Sequence, residues 1–291
     1  MARTGYHLVD VSPWPLSASI GALGFTIGFV TYVHESMSML VCCFLLGSFS
    51  LIALTAVRWW GDVIVESTFL GNHTSLVVLN LKYGFWFFVL SEAFLFVSFF
   101  WAFFNSSIGE LSQQGVGHWP PLGVKSICPW KVPALNTAVL VGSGLFVNWA
   151  HGAVKAHGLV SMDDFKGNNI KVFLGRSYTG GEYWRIHGLI SLGITIILGI
   201  FFTWLQATEY YMASYTIADS VFGSAFFILT GFHGAHVIAG TLFLTVCWVR
   251  LYLYHFSYQH HHFGMYAATI YWHFVDLVWV FVYGIIYIWG H

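Results

Sequence analysis

The chain has 291 residues, of which 57% are hydrophobic and only 8% charged, and its formal net charge is −1. Soluble domains carry charge on about 25% of positions, so a water-facing surface cannot be built from this sequence. Composition therefore excludes a soluble globular protein and leaves an integral membrane protein, with helical spans rather than a barrel because the apolar runs are long.

The N-terminal stretch MARTGYHLVDVSPWPL has polar residues and two prolines where a secretory signal needs an apolar core, so no cleavable leader is expected. Seven apolar segments follow, at about 16–34, 38–58, 80–104, 133–151, 186–210, 217–250 and 265–289. The first carries Gly21, Gly24 and Gly28, small residues that let a neighbouring helix approach closely. A short link at His34–Ser38 leads to the second, and a polar link around Asp62–Thr74 leads to the third.

In the third segment, the 21 residues from Gly84 to Phe104 hold a single charge, Glu92. At about 1.5 Å per residue this run crosses a bilayer, and a carboxyl at mid-membrane costs roughly 2.5 kcal/mol or more. Glu92 is therefore a candidate functional residue. A hydrogen-bonded neutral acid with a structural role and a group in proton or lipid chemistry both remain open.

A Pro/Gly-rich loop, Asn105–Val132, precedes the fourth segment, and a long polar loop, 152–185, precedes the fifth. Glu209 and Asp219 flank the short turn after the fifth segment and are expected to be wet and structural. The sixth segment is longer than a bilayer needs and should tilt or protrude. It carries a small-residue stripe, Gly231, Ala235 and Ala239, and it ends at Arg250, which can snorkel to a lipid phosphate. In the seventh, His273 lies three residues before Asp276 on the same helical face, a polar pair that can share a proton or hydrogen bond.

Orientation follows from the basic residues. With seven spans, nine Lys/Arg fall on the side of the N-terminus and two on the other, which puts the N-terminus on the cytoplasmic or matrix side.

Fifteen histidines require a test for haem and metal ligation. Only His260 and His273 have the separation of a b-type haem pair, and His260 lies in a loop. His233 and His236 share one face of the sixth span without an obvious third ligand. They are read as packing histidines hydrogen-bonded across the bundle. The His260-His261-His262 run reads as a loop at headgroup level, and the four cysteines as packing residues. No GxSxG, HExxH or phosphate-cradling glycine loop is present, so enzyme chemistry in this chain alone is not expected.

Ordered motifs across all seven spans carry a resemblance. They include Tyr6-His7-Leu8-Val9-Asp10, Trp59-Trp60, Glu66-Ser67-Thr68, Ser91-Glu92 and Trp119-Pro120-Pro121. Gln206-Ala207-Thr208-Glu209-Tyr210-Tyr211, Thr230-Gly231-Phe232-His233-Gly234 and Tyr271-Trp272-His273-Phe274-Val275-Asp276 complete the series. In this order the chain resembles cytochrome c oxidase subunit III of the haem–copper, aa3-type terminal oxidases.

The resemblance implies an all-α membrane domain over 1–291, with helices 1–2 (16–58) and helices 3–7 (80–289) in two groups around a V-shaped lipid cleft. It implies an accessory core subunit with no catalytic residue, cofactor or metal of its own. That subunit packs against subunit I, and haem a and copper sit in partner subunits I and II. Its role is to stabilise subunit I and support oxygen reduction coupled to proton pumping. Glu92 matches the family's carbodiimide-reactive buried carboxyl, and Trp60, Glu66, His73 and Arg250 match residues around cleft phospholipid. Gly61 and Val65 stand where the family commonly has arginine, and Tyr266 where glutamate is frequent. The unusually long 152–185 loop is a candidate docking point for a lineage-specific subunit or a solvated insertion without a partner.

The motifs do not separate mitochondrion from bacterium. The lack of an evident presequence and the extreme hydrophobicity suit synthesis beside the mitochondrial inner membrane, with the N-terminus expected in the matrix and the C-terminus in the intermembrane space. A bacterial plasma membrane is the alternative. The competing functional reading is a stand-alone proton or ion channel using Glu92 and Asp276, but span three adds only Ser91 and Ser98 to any polar path.

Overall fold

Among the residues that the computed structural model describes, seven helices are long and apolar enough to cross a bilayer. The described residues are 5–34, 38–108, 119–121, 123–163, 170–173, 176–256 and 262–290. In chain order the elements are α1 (Trp14–His34), α2 (Met39–Thr68), α3 (Ser75–Ile108), α4 (Val132–Asp163), β1 (Ile170–Phe173), β2 (Arg176–Thr179), α5 (Gly180–Met212), α6 (Val221–Tyr252) and α7 (Phe263–Val282). The last helix continues with π-helical hydrogen bonding over Tyr283–Trp289. The chain divides into two compact units, Met1–Asn80 and Leu81–His291.

In the first unit α1 and α2 pack antiparallel, and the expected glycine stripe explains how. A Cβ at Gly21 would lie 2.8 Å from Ile52 Cγ1, one at Gly24 2.6 Å from Ser48 Oγ, and one at Gly28 2.9 Å from Leu45 Cδ2. A larger residue at these positions would force the α2 side chains to shift. Ser38 starts α2 by accepting the Val41 amide, at 3.3 Å, an N-cap. The indole Nε1 of Trp14 donates to Asp62 Oδ2 at 2.6 Å, tying the start of α1 to the last third of α2. Gly71, with φ of +65°, turns the chain after α2, and the Asn72 amide bonds back to the Glu66 carbonyl.

The second unit is built around aromatic side chains of α5, α6 and α7. Trp272, Trp279, Phe202, Phe222 and Phe226 are all fully buried. Glycines make room for the largest of them: a Cβ at Gly199 would stand 2.7 Å, and one at Gly240 3.0 Å, from the Trp272 ring. The buried indoles find hydroxyl acceptors on α4, Trp272 at Ser143 (2.8 Å) and Trp279 at Thr137 (3.0 Å). Buried threonines such as Thr195, Thr230 and Thr241 donate to their own helix carbonyls four residues back, which satisfies these hydroxyls.

Three expectations need correction. The 152–185 stretch is not a simple polar loop. α4 continues to Asp163, and α5 begins at Gly180, between which β1 and β2 pair antiparallel with Ile170 opposite Thr179. Residues 164–169 and 174–175 of that stretch lie outside the described residues. The physical cause is local: Thr179 caps α5 by accepting the Glu182 amide at 3.4 Å. The His157 ring also donates to the Gly181 carbonyl at 2.8 Å, holding the α4 extension to the start of α5. The hairpin's Lys171 stands over the Tyr183 and Trp184 rings, at 5.1 and 4.9 Å.

The Gly231–Ala235–Ala239 stripe makes no helix contact in this unit. Ala235 and Ala239 are exposed and a Cβ at Gly231 would meet open space, whereas Gly240, on another face of α6, takes the close approach. Finally, Glu209 is buried rather than wet. α5 runs on to Met212, and Glu209 is held there against the π-helical end of α7 by Tyr287, whose hydroxyl donates to it at 2.5 Å. Asp219 is exposed as expected and accepts the Thr216 amide at 2.6 Å.

Candidate functional site

Glu92 projects from α3 toward α6, and its Oε2 lies 2.9 Å from Nε2 of His236. The other ring nitrogen, Nδ1, lies 2.7 Å from the Phe232 carbonyl. A carbonyl can only accept, so Nδ1 carries its hydrogen. In the neutral ring, Nε2 is then an acceptor. The contact with Glu92 accordingly holds one proton, on the carboxyl oxygen of a neutral pair or on Nε2 of an imidazolium–carboxylate pair. A bare carboxylate facing a bare ring nitrogen would be two acceptors in collision. Aromatic rings fix the imidazole: Phe96 meets it edge-on at 5.0 Å and Tyr271 stacks at 6.3 Å. Only 13% of the His236 side chain and 23% of that of Glu92 is exposed.

His233, one turn earlier on α6, goes elsewhere. Its Nε2 lies 3.2 Å from the Val275 carbonyl of α7, and its ring packs against Phe202 and Trp279. The two histidines therefore serve α7 and α3 separately, the cross-bundle packing expected of them. Along α3 the hydroxyls of Ser91 and Ser98 donate to the carbonyls of Phe88 and Phe94. Both are spent on their own helix.

The expected pair on α7 also forms. His273 Nδ1 lies 3.5 Å from Asp276 Oδ2, and Nε2 lies 2.8 Å from the side-chain oxygen of Asn148 on α4. Asp276 is seated over Gly144, where a Cβ would lie 2.7 Å from the carboxylate. Glu92 and Asp276 thus each stand beside a histidine.

A third polar cluster was invisible in the sequence. The Asn136 amide donates to Gln206 Oε1, Gln206 Nε2 donates to the Tyr287 hydroxyl, and Tyr287 donates to Glu209. The four residues come from α4, α5 and the π-helical end of α7, and the long-range pairing left no local spacing signal.

Of the residues assigned to lipid by resemblance, Trp60 is 68% exposed. Glu66 and His73 come together with His7, whose Nδ1 lies 3.8 Å from Glu66 Oε2. Arg250 does not reach outward; its guanidinium lies 4.6 Å over the Phe256 ring and against Gly264. A Cβ at Gly61 would meet nothing within 4 Å, and Val65 is exposed, so open space stands where the family commonly has arginine. Tyr266 accepts from Trp86 Nε1 at 3.2 Å and takes Lys82 over its ring at 5.0 Å. His260 and His261 lie outside the described residues.

Comparison with known proteins settles the family. The sequence profile of cytochrome c oxidase subunit III matches residues 4–187 and 178–291. Cytochrome c oxidase subunit 3 of Pisaster ochraceus is 49% identical over 98% of this chain and 97% of the relative. The chain belongs to the cytochrome c oxidase subunit III family. The subunits of Scyliorhinus canicula and Canis lupus are each 47% identical over the same shares of the two chains. Membership, with seven membrane-length helices, makes this a multi-pass membrane protein of the respiratory chain's complex IV.

Proposed function

We propose that this chain is an accessory core subunit of the oxidase, with no redox centre of its own. It packs against subunit I, stabilises it, and supports oxygen reduction to water coupled to proton pumping. Haem a and copper reside in partner subunits I and II. The observation that carries this reading is the family match over nearly the whole chain, through all seven spans. The side chains support it: the histidines of α6 are engaged with Glu92 and with a backbone carbonyl.

The relatives named above come from animals, and with the nine-to-two split of basic residues they support the mitochondrial inner membrane with the N-terminus in the matrix. Phospholipid is the proposed neighbour of Trp60. The test is a mild-detergent pulldown of the chain, read by reduced-minus-oxidised spectrum and mass spectrometry. Haem a absorbance with subunits I and II is expected, and the same eluate names whatever binds residues 152–185. A colourless homomeric eluate, from membranes that contain intact oxidase, would overturn the reading in favour of a stand-alone channel.

A further inference from the structure

The first unit brings three potential ligands together from three separate pieces of chain. Glu66 lies in the last turn of α2, His73 in the link to α3, and His7 in the N-terminal arm. One ligand atom from each lies within 4.8 Å of the others. The arm is pinned there at two points, by Thr74 Oγ1 donating to the Gly5 carbonyl at 2.7 Å and by Trp14 donating to Asp62. The link is positioned by the Gly71 turn and the Asn72-to-Glu66 backbone bond. The backbone at all three positions is thus tied in place beside the cluster.

We propose that His7, Glu66 and His73 form a binding site for a borderline divalent transition-metal cation, with Zn2+ as the reference case. Two imidazoles and one carboxylate are a donor set that favours such an ion over Mg2+ or Ca2+, which take oxygen ligands. Tetrahedral zinc with bonds of about 2.0–2.2 Å places neighbouring donors about 3.3–3.5 Å apart. The His7–Glu66 separation of 3.8 Å and the 4.8 Å spread of the cluster need only small side-chain movements to reach that geometry. Three protein ligands leave a fourth position for water. With neutral imidazoles the set carries one negative charge, which attracts a cation. This assignment goes beyond the accessory-subunit reading and does not rest on it.

The test uses the full-length chain in detergent, purified with a tag that contains no histidine. Zinc is titrated against a chromophoric chelator, with His7→Ala, His73→Ala and Glu66→Gln compared with wild type and with His34→Ala as the control. His34 is exposed and outside the cluster. Wild type and His34→Ala are expected to hold one more tightly bound zinc than the three cluster variants. In those variants the site should weaken by about tenfold or more, since even outer-shell changes cost that much. Circular dichroism checks that each variant keeps its helices. X-ray absorption of zinc-loaded wild type gives an independent readout, expected to show two imidazoles with oxygen donors. Equal tight zinc in wild type and cluster variants, or a zinc shell containing sulfur, would overturn the proposal.

Discussion

Replacing Glu92 by glutamine tests the proton count in the α3–α6 contact. The His236 Nδ1–H is committed to the Phe232 carbonyl, so Nε2 of the neutral ring needs a donor from α3. A neutral glutamic acid supplies an O–H, and a glutamine supplies an N–H from nearly the same place. In the neutral pair the substitution exchanges one hydrogen bond for another. Interhelical hydrogen bonds in membranes contribute about 0.6 kcal/mol on average and at most about 1.7. Glu92→Gln should therefore cost less than about 1 kcal/mol. His236→Ala removes the acceptor and leaves a part-buried carboxyl without its partner, at about 1–3 kcal/mol. An imidazolium–carboxylate pair behaves differently, because losing one partner of a buried ion pair costs about 3–5 kcal/mol. The assay is denaturation of the full chain in detergent by circular dichroism, as a double-mutant cycle over Glu92→Gln and His236→Ala. Because glutamine keeps the hydrogen bond to Nε2, a coupling energy near zero is expected for the neutral pair. If Glu92→Gln alone cost 3 kcal/mol or more, equal to His236→Ala, the neutral-pair argument would fail. The same glutamine variant should leave the oxidase spectrum and oxygen reduction of the assembled complex intact, because it removes no redox ligand.

Other outcomes follow from the packing and the charges. Gly24→Ala should loosen α1 from α2 by about 1–3 kcal/mol through overpacking against Ser48, while Gly47→Ala, which meets open space, should be nearly silent in the same unfolding experiment. Arg185→Ala should release the start of α5, because this side chain, only 9% exposed, forks onto Glu182, donates to the Tyr252 carbonyl at 3.2 Å and lies 3.9 Å over the Tyr254 ring. A loss of about 2–3 kcal/mol, read as earlier thermal unfolding, is expected, and Arg185→Lys should recover only part of it because lysine lacks the fork. Paired to Arg185, Glu182 should react more slowly than Glu92 with a hydrophobic carbodiimide; equal labelling by mass spectrometry would contradict this. Restoring cations with Gly61→Arg and Val65→Arg should increase the anionic phospholipid that native mass spectrometry finds on the chain; unchanged lipid would show that this face holds none.

The seven spans were legible because a bilayer imposes one simple demand, a long apolar run, that sequence meets locally. Their ends were not. α4 and α5 outrun the apolar segments because a threonine cap, a histidine-to-carbonyl bond and a hairpin continue the ordered chain where hydropathy stops. The glycine stripe of α1 was read correctly, since glycine at four-residue spacing faces one neighbour. The similar stripe on α6 was misplaced within this chain, because spacing reports a face and not what stands opposite it. Glu92 and the His273–Asp276 pair could be singled out from charge in an apolar run. The partner of Glu92 could not, since His236 is 144 residues away and met only through packing. His7 escaped for the same reason: nothing in the N-terminal sequence announces a neighbour at residues 66 and 73.

That sequence distance also sets a timetable. Chains are made at about 5–20 residues per second, so His236 is synthesised roughly 7–30 seconds after Glu92. α3 must therefore sit in the bilayer for that interval with its acid unattended. A carboxyl can do so by keeping its proton. An arginine at position 92 would have no such recourse, since its guanidinium stays charged. The residue on the earlier-made helix is the one able to wait, and the ring that completes the pair arrives already fixed by its own Phe232 carbonyl.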